Sequence, residues 1–183
     1  MPNRRTGRDL ELVVTVPDAV GDQFANEFGL RTTLGVLVEL LAGAKSHVIV
    51  GAPFIQGDAA LHAEPLASAL RSALERGVRI EIISTGASLA NLRLGHLRRV
   101  AGSRLRTFQP LGNSEDARAL GSHAKFCLAD GKSAYVGSAN FTHMGIGGHL
   151  EIGVLLPGAP ARQLWRLVTR LFEIGYLVEV PSS

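Results

Sequence analysis

His123, Lys125, Asp130, Gly137, Ser138 and Asn140 stand at spacings that read H-x-K, four residues, D, six residues, G-S-x-N. An imidazole two residues from an ammonium sets a nucleophile or proton carrier beside a point charge suited to phosphate. Residues 123–129 alternate as a half-buried strand does. A side-chain period of two then sends His123, Lys125 and Cys127 to one face and Ala124, Phe126 and Leu128 to the other. Asp130-Gly131-Lys132 reads as a tight hairpin turn. Residues 133–137 return antiparallel and bring Gly137, Ser138 and Asn140 back beside the start of the first strand. Gly and Ser let a backbone approach phosphate closely, and the Asn140 amide can donate to its oxygens. Singly these residues describe a solvated sheet face and a turn. Together they supply what a phosphodiester site needs.

This pattern resembles the signature of the phospholipase D superfamily, the HKD phosphodiesterases, and the chain carries one copy of it. The resemblance runs over residues 34–176 and is strongest over 123–151. It implies that His123 attacks phosphorus to form a covalent phosphohistidine while Lys125 and Asn140 hold the non-bridging oxygens. Ser138 and Gly137 are expected to assist in binding substrate, and Asp130 to support the hairpin. Many relatives carry Asn-x-Glu at the start of the next strand, where this chain has His149-Leu-Glu151. Glu151 matches, and is expected to hold the other ring nitrogen of His123 and so fix its tautomer. His149 departs from the pattern and reads as a loop histidine. The family needs no metal, His143 and His149 lack a diagnostic ligand spacing, and no cofactor is expected.

A histidine nucleophile needs a second group to protonate the leaving oxygen and then activate water. A histidine with its ordinary pKa of about 6.5 can do both. The resemblance implies two motifs facing each other, so a chain with one copy should complete its site as a symmetric homodimer. Short single-motif relatives include dimeric endonucleases of low sequence specificity. The leading expectation is therefore a metal-independent phosphodiesterase cleaving nucleic acid, DNA first. The alternatives are a phospholipid hydrolase or transferase, and an inactive domain that binds nucleic acid or a partner protein. The segment from Leu12 through Thr15 and on to Arg31-Thr32-Thr33 also resembles the entry into the phospholipase D-like proteins of bacterial DISARM antiphage systems, which adds defence-system proteins as expected partners.

Composition fits this reading. A chain of 183 residues that is 46% apolar can bury a sizeable core. The net charge is +3, and 16 of the 19 basic residues are arginine. Arginine suits phosphate contacts, and equally reflects a genome rich in Ala, Gly and Leu codons. Arg93, Arg98, Arg99, Arg104 and Arg106 lie upstream of the motif and fit either a nucleic-acid groove or a solvated face. Arg4, Arg5 and Arg8 form a small basic arm. The single cysteine, Cys127, excludes an internal disulfide and reads as a packed thiol. No apolar signal segment follows Met1 and no run approaches the roughly 18 apolar residues of a membrane span, so a cytoplasmic protein without membrane contact is expected.

The elements that must position these groups alternate between periods. Strands are expected over residues 10–16, 47–54, 78–84, 104–108 and 150–156, besides the motif hairpin. Helices are expected from Thr32 or Thr33 to Ala44 with Leu34, Leu37, Val38 and Leu41 inward, over 64–76, over 88–101, and over 159–175. Gly77 and Gly102 mark helix ends. The expected fold is one α/β domain of residues 32–183, a mixed β-sheet sandwiched by helices, preceded by an N-terminal extension of residues 1–31. The Gly- and Ser-containing loops 110–122 and 141–148 flank the motif as candidate substrate gates.

Overall fold

Local signals account for most elements of the computed structural model, which describes residues 10–17, 29–56, 61, 63–112 and 122–180. In chain order these are β1 (Glu11–Thr15), β2 (Arg31–Thr32), α1 (Thr33–Gly43), β3 (His47–Gly51), α2 (Leu66–Glu75), β4 (Arg79–Ile83), α3 (Gly86–Ala90) and α4 (Gly95–Ala101). There follow β5 (Leu105–Pro110), β6 (Phe126–Ala129), β7 (Ser133–Gly137), β8 (Glu151–Pro157), α5 (Ala159–Glu173) and β9 (Leu177–Glu179). The basic arm, most of the 110–122 loop and most of the connection between β1 and β2 lie outside the described residues.

The strands form one mixed sheet in the order β2-β1-β8-β7-β6-β3-β4-β5-β9. Its centre is parallel, with β3 on β4 and β4 on β5, and β6 pairs antiparallel to β3. All five residues of β3 are buried, as a strand covered on both faces requires. Val48, Val50, Ile80, Ile82, Cys127 and Tyr135 pack under α1, α2 and α4, while Ile49, Ile83, Phe126, Leu128 and Ala134 pack under α5. The result is the expected sheet between two helical layers. Part of the expected N-terminal extension joins this same sheet: β1 pairs antiparallel with β8, and Val13 is fully buried.

Thr32 caps α1, its hydroxyl accepting from the Gly35 N–H at 3.1 Å. The inward face of α1 is Thr33, Val36, Leu37, Leu40 and Leu41. It is rotated from the expected stripe, because α1 must meet both the sheet and α2, and Leu34 and Val38 are left at the margin. The expected single helix over 88–101 is a correction: it is two helices, α3 and α4, broken at 91–94. The Asn91 side chain donates to the Ala87 carbonyl at 3.0 Å, closing the last turn of α3. Leu94 turns inward at 1% exposure before α4 begins. Gly77 and Gly102 adopt positive φ at the ends of α2 and α4, as their type predicts.

Candidate active site

The hairpin forms where it was expected, but its ladder is shorter. β6 begins at Phe126, so His123 and Lys125 precede the strand rather than lie within it. Ala129 pairs with Ser133, and Asp130 and Gly131 take φ of 54° and 63° between them. Aspartate tolerates this left-handed region because its short side chain can bond locally, and glycine because it has no Cβ. At the other end the Gly137 N–H donates to the Lys125 carbonyl at 3.2 Å. That bond brings the H-x-K segment alongside the G-S segment.

Lys125 is 7% exposed, while His123 is exposed. The Lys125 ammonium lies 3.0 Å from Nδ1 and 3.2 Å from Nε2 of His123, and donates to the His123 carbonyl at 2.8 Å. An ammonium can only donate, so the ring nitrogen that meets it does so as an acceptor. Burial holds the Lys125 ammonium below the usual lysine range, and the charge of Glu151 pulls it back up.

Glu151 opens β8 and accepts a hydrogen bond from the Ser138 hydroxyl. The same hydroxyl accepts from the Ile152 N–H at 3.1 Å, and the Ser138 N–H donates to the Ile152 carbonyl at 3.0 Å. Glu151 thus locks the G-S turn to β8 and faces Lys125 electrostatically. No hydrogen bond joins it to His123 among the described residues. The imidazole has Lys125 as its neighbour instead.

Asp130 sits at the opposite end of β6 from His123. Its carboxylate accepts from the backbone N–H groups of Lys45, Ser46 and His47 at 2.8, 2.9 and 2.9 Å and from the Ser46 hydroxyl at 2.7 Å. Partial burial works against the charged form, yet these four donors together bring its pKa down to about 2. The residue pins the hairpin to the start of β3. Gly137 has a reason other than phosphate approach: a Cβ there would lie 2.7 Å from Cζ of Tyr135 and closer still to its hydroxyl. Gly153, its partner on β8, is held to glycine by the same ring, at 2.6 Å from Cε2.

Asn140 lies in the β7–β8 connection, next to Phe141, whose carbonyl accepts from the Gln56 N–H at 2.9 Å. The Asn140 Oδ1 is buried and takes no hydrogen bond among the described residues. Asn140 borders a cavity of about 560 Å³ with Phe54, Gln56, Ser88 and Asn91. His123 and Lys125 border a separate cavity of about 250 Å³ whose far wall is Leu164, Leu167, Val168 and Leu171 of α5. Residues 144–148 of the expected second gate form a π-helical turn rather than a loop, with Thr15 donating to the Gly145 carbonyl at 3.2 Å. His143 and His149 are exposed.

Cys127 is a packed thiol, pushed up to about 12 by burial. Of the upstream arginines, Arg106 is engaged by Glu179 and lines a cavity with His47, Arg79 and Glu81, while Arg104 donates to the Leu74 and Val100 carbonyls. No helix among the described residues is long and apolar enough to cross a membrane. Sequence reading did not single out Phe54, Gln56, Ser88 or Asn91. Their signal was positional: they follow the carboxyl ends of the parallel strands β3 and β4, where open sheets bind ligands.

A family model described as cardiolipin synthase, PLD-like domain matches residues 37–173. The DISARM protein DrmC of Bacillus paralicheniformis is 26% identical over 179 residues, covering 93% of this chain and 66% of that protein. The chain therefore spans just under two thirds of that relative's length. Among solved structures, NucT from Helicobacter pylori aligns with a TM-score of 0.65 at 16% identity, covering 94% of this chain and all 100% of that one. The phospholipase D family member Nuc from Salmonella typhimurium aligns at 0.62 and 15% identity, over 95% of this chain and 100% of that one. At such identities the likeness shows a common fold.

Proposed function

The chain belongs to the phospholipase D-like family, and from that premise we propose that it is a metal-independent phosphodiesterase that cleaves nucleic acid, DNA foremost. The observation that carries the reading is the buried Lys125 ammonium 3.0 Å from the His123 ring. A cation removed from water acts more strongly on a nearby phosphate than an exposed one, since less solvent screens it.

In the proposed reaction a ring nitrogen of His123 attacks phosphorus. The N–P bond forms as the P–O bond to the leaving group breaks, with Lys125 and Asn140 holding the non-bridging oxygens. The leaving oxygen takes a proton from His123 of a second copy of the chain, so two copies share one site in a homodimer. That second imidazole, now neutral, takes a proton from water. The hydroxide attacks phosphorus and the N–P bond breaks. Asp130 and Glu151 act through the backbone they hold, with Ser138 and Gly137 shaping the phosphate pocket. The similarity to DrmC supports a role in antiphage defence alongside other defence proteins, and the proposed site of action is the cytoplasm.

The second reading is hydrolysis or transfer of a phospholipid head group, favoured by the leucine-walled cavity that borders His123. One experiment separates them: labelled single- and double-stranded DNA, RNA, and phosphatidylglycerol vesicles, each incubated with the protein in excess EDTA. EDTA-resistant nucleic-acid cleavage is expected. Turnover of lipid alone would replace the leading reading with the second, and binding of nucleic acid without cleavage would make the domain a non-catalytic binder.

A further inference from the structure

Among the described residues, the cavity that Asn140 shares with Phe54, Gln56, Ser88 and Asn91 has no charged lining residue, although it sits beside a phosphate-directed motif. A second phosphate would call for cations, and a lipid tail for apolar walls. This cavity offers amides and hydroxyls beside one aromatic ring. Phe54 is 46% exposed, a phenyl ring left in solvent at the rim. The amides come from three separate parts of the fold: Gln56 from the β3–α2 connection, Asn91 from the end of α3, and Asn140 from the β7–β8 connection.

Their hydrogen-bonding capacity is largely unspent. Asn91 donates once, to Ala87 at 3.0 Å, which leaves its carbonyl oxygen and a second N–H. Ser88 Oγ accepts from the Ile55 N–H at 3.1 Å, which leaves its proton to donate. Asn140 Oδ1 is buried with no partner among the described residues.

Resting on the phosphodiesterase reading, we infer that this cavity is a nucleobase subsite, which takes an unpaired base from the nucleotide whose phosphate is held at Asn140. Planar amides that both donate and accept match a base edge, and an aromatic ring is the platform on which unstacked bases lie in single-strand recognition. A base in a duplex has its edge paired and its faces stacked. The subsite therefore selects single-stranded or locally opened substrate. The volume of about 560 Å³ is in the range of ligand pockets and admits a base with its sugar.

The test compares two single-stranded oligonucleotides of equal length and charge, one with all its bases and one fully abasic, binding to the full chain. Wild type should bind the first about ten-fold tighter or more, as expected for stacking on one ring. Phe54→Ala and Asn91→Ala should each shrink that ratio while leaving affinity for the abasic strand unchanged. Phe54→Leu, which keeps an apolar side chain without the ring, should behave as Phe54→Ala, and equal melting temperatures would show that the fold is intact. Equal affinity of wild type for both strands overturns the subsite, as does a variant that weakens both strands alike. Cleavage of both strands at equal rates overturns the subsite and leaves the phosphodiesterase reading standing. Base-selective binding without cleavage does the reverse, and binding of neither strand overturns both.

Discussion

Gly137 and Tyr135 occupy neighbouring positions on one face of β7, and the Tyr135 ring fills the space where a side chain at residue 137 would stand. Tyr135 is fully buried, so its ring has nowhere to retreat. The glycine of the G-S-x-N segment is thus demanded by packing in the layer beneath α1.

Gly137→Ala should destabilise the domain by about 1–3 kcal/mol, the usual range for overpacking a core. Adding Tyr135→Phe removes the oxygen nearest the new Cβ and should recover part of that loss. Denaturant melts of the two single variants and the double variant give the coupling directly. Additive losses would show that the two side chains do not compete for space.

Asp130 ties acid stability to the hairpin. Its folded pKa of about 2 lies below the ordinary aspartate value of 3.8, so it contributes stability above pH 4 that is lost as pH falls toward 2. A shift of that size is worth about 1–2 kcal/mol once its partial exposure is allowed for. Asp130→Asn should remove most of it at neutral pH and flatten the fall in melting temperature between pH 4 and 2. A variant whose acid profile tracks that of wild type would show that the carboxylate does not hold β3 to the hairpin.

Lys125 should trade stability for activity. Burial lowers its pKa, so keeping it charged at neutral pH opposes folding, and this opposition fades as pH rises through the lysine range. Lys125→Met should therefore melt higher than wild type at pH 7, with the gap closing toward pH 11. Its kcat should fall about 10²–10³-fold, as when one donor to a developing anion is removed. A melting temperature below that of wild type at pH 7 would mean that the ammonium stabilises the fold.

His123 gives two readouts. His123→Ala should abolish cleavage yet keep nucleic-acid binding, and alkaline quenching of wild type with labelled substrate should leave phosphorus on His123. If each centre takes His123 from both copies, mixtures of wild type and His123→Ala should show activity proportional to the square of the wild-type fraction. A linear mixing curve would mean that each chain works alone.

The meeting of the H-x-K and G-S segments was legible in the sequence because it is local. Two alternating runs flank Asp130-Gly131, and a turn of that composition forces them to pair, so the H-x-K and G-S segments must meet whatever surrounds them. Thr32, Gly77 and Gly102 announced helix ends for the same reason, since a cap or a positive φ is satisfied within a turn of chain. What depended on distant partners was not legible. The inward face of α1 was set by α2 and the sheet, and the break between α3 and α4 by the burial of Leu94. Glu151 was read as the partner of His123, but the strand register of β7 on β8 delivers it to Ser138. Asp130 found its donors some 84 residues away, at Lys45, Ser46 and His47. Phe54, Gln56, Asn91 and Asn140 are scattered along the chain, and they become one cavity only because parallel strands end at a common edge of the sheet. Residue spacing specifies contacts within a turn or a hairpin, while long-range pairing of the sheet decides which groups from separate loops face each other.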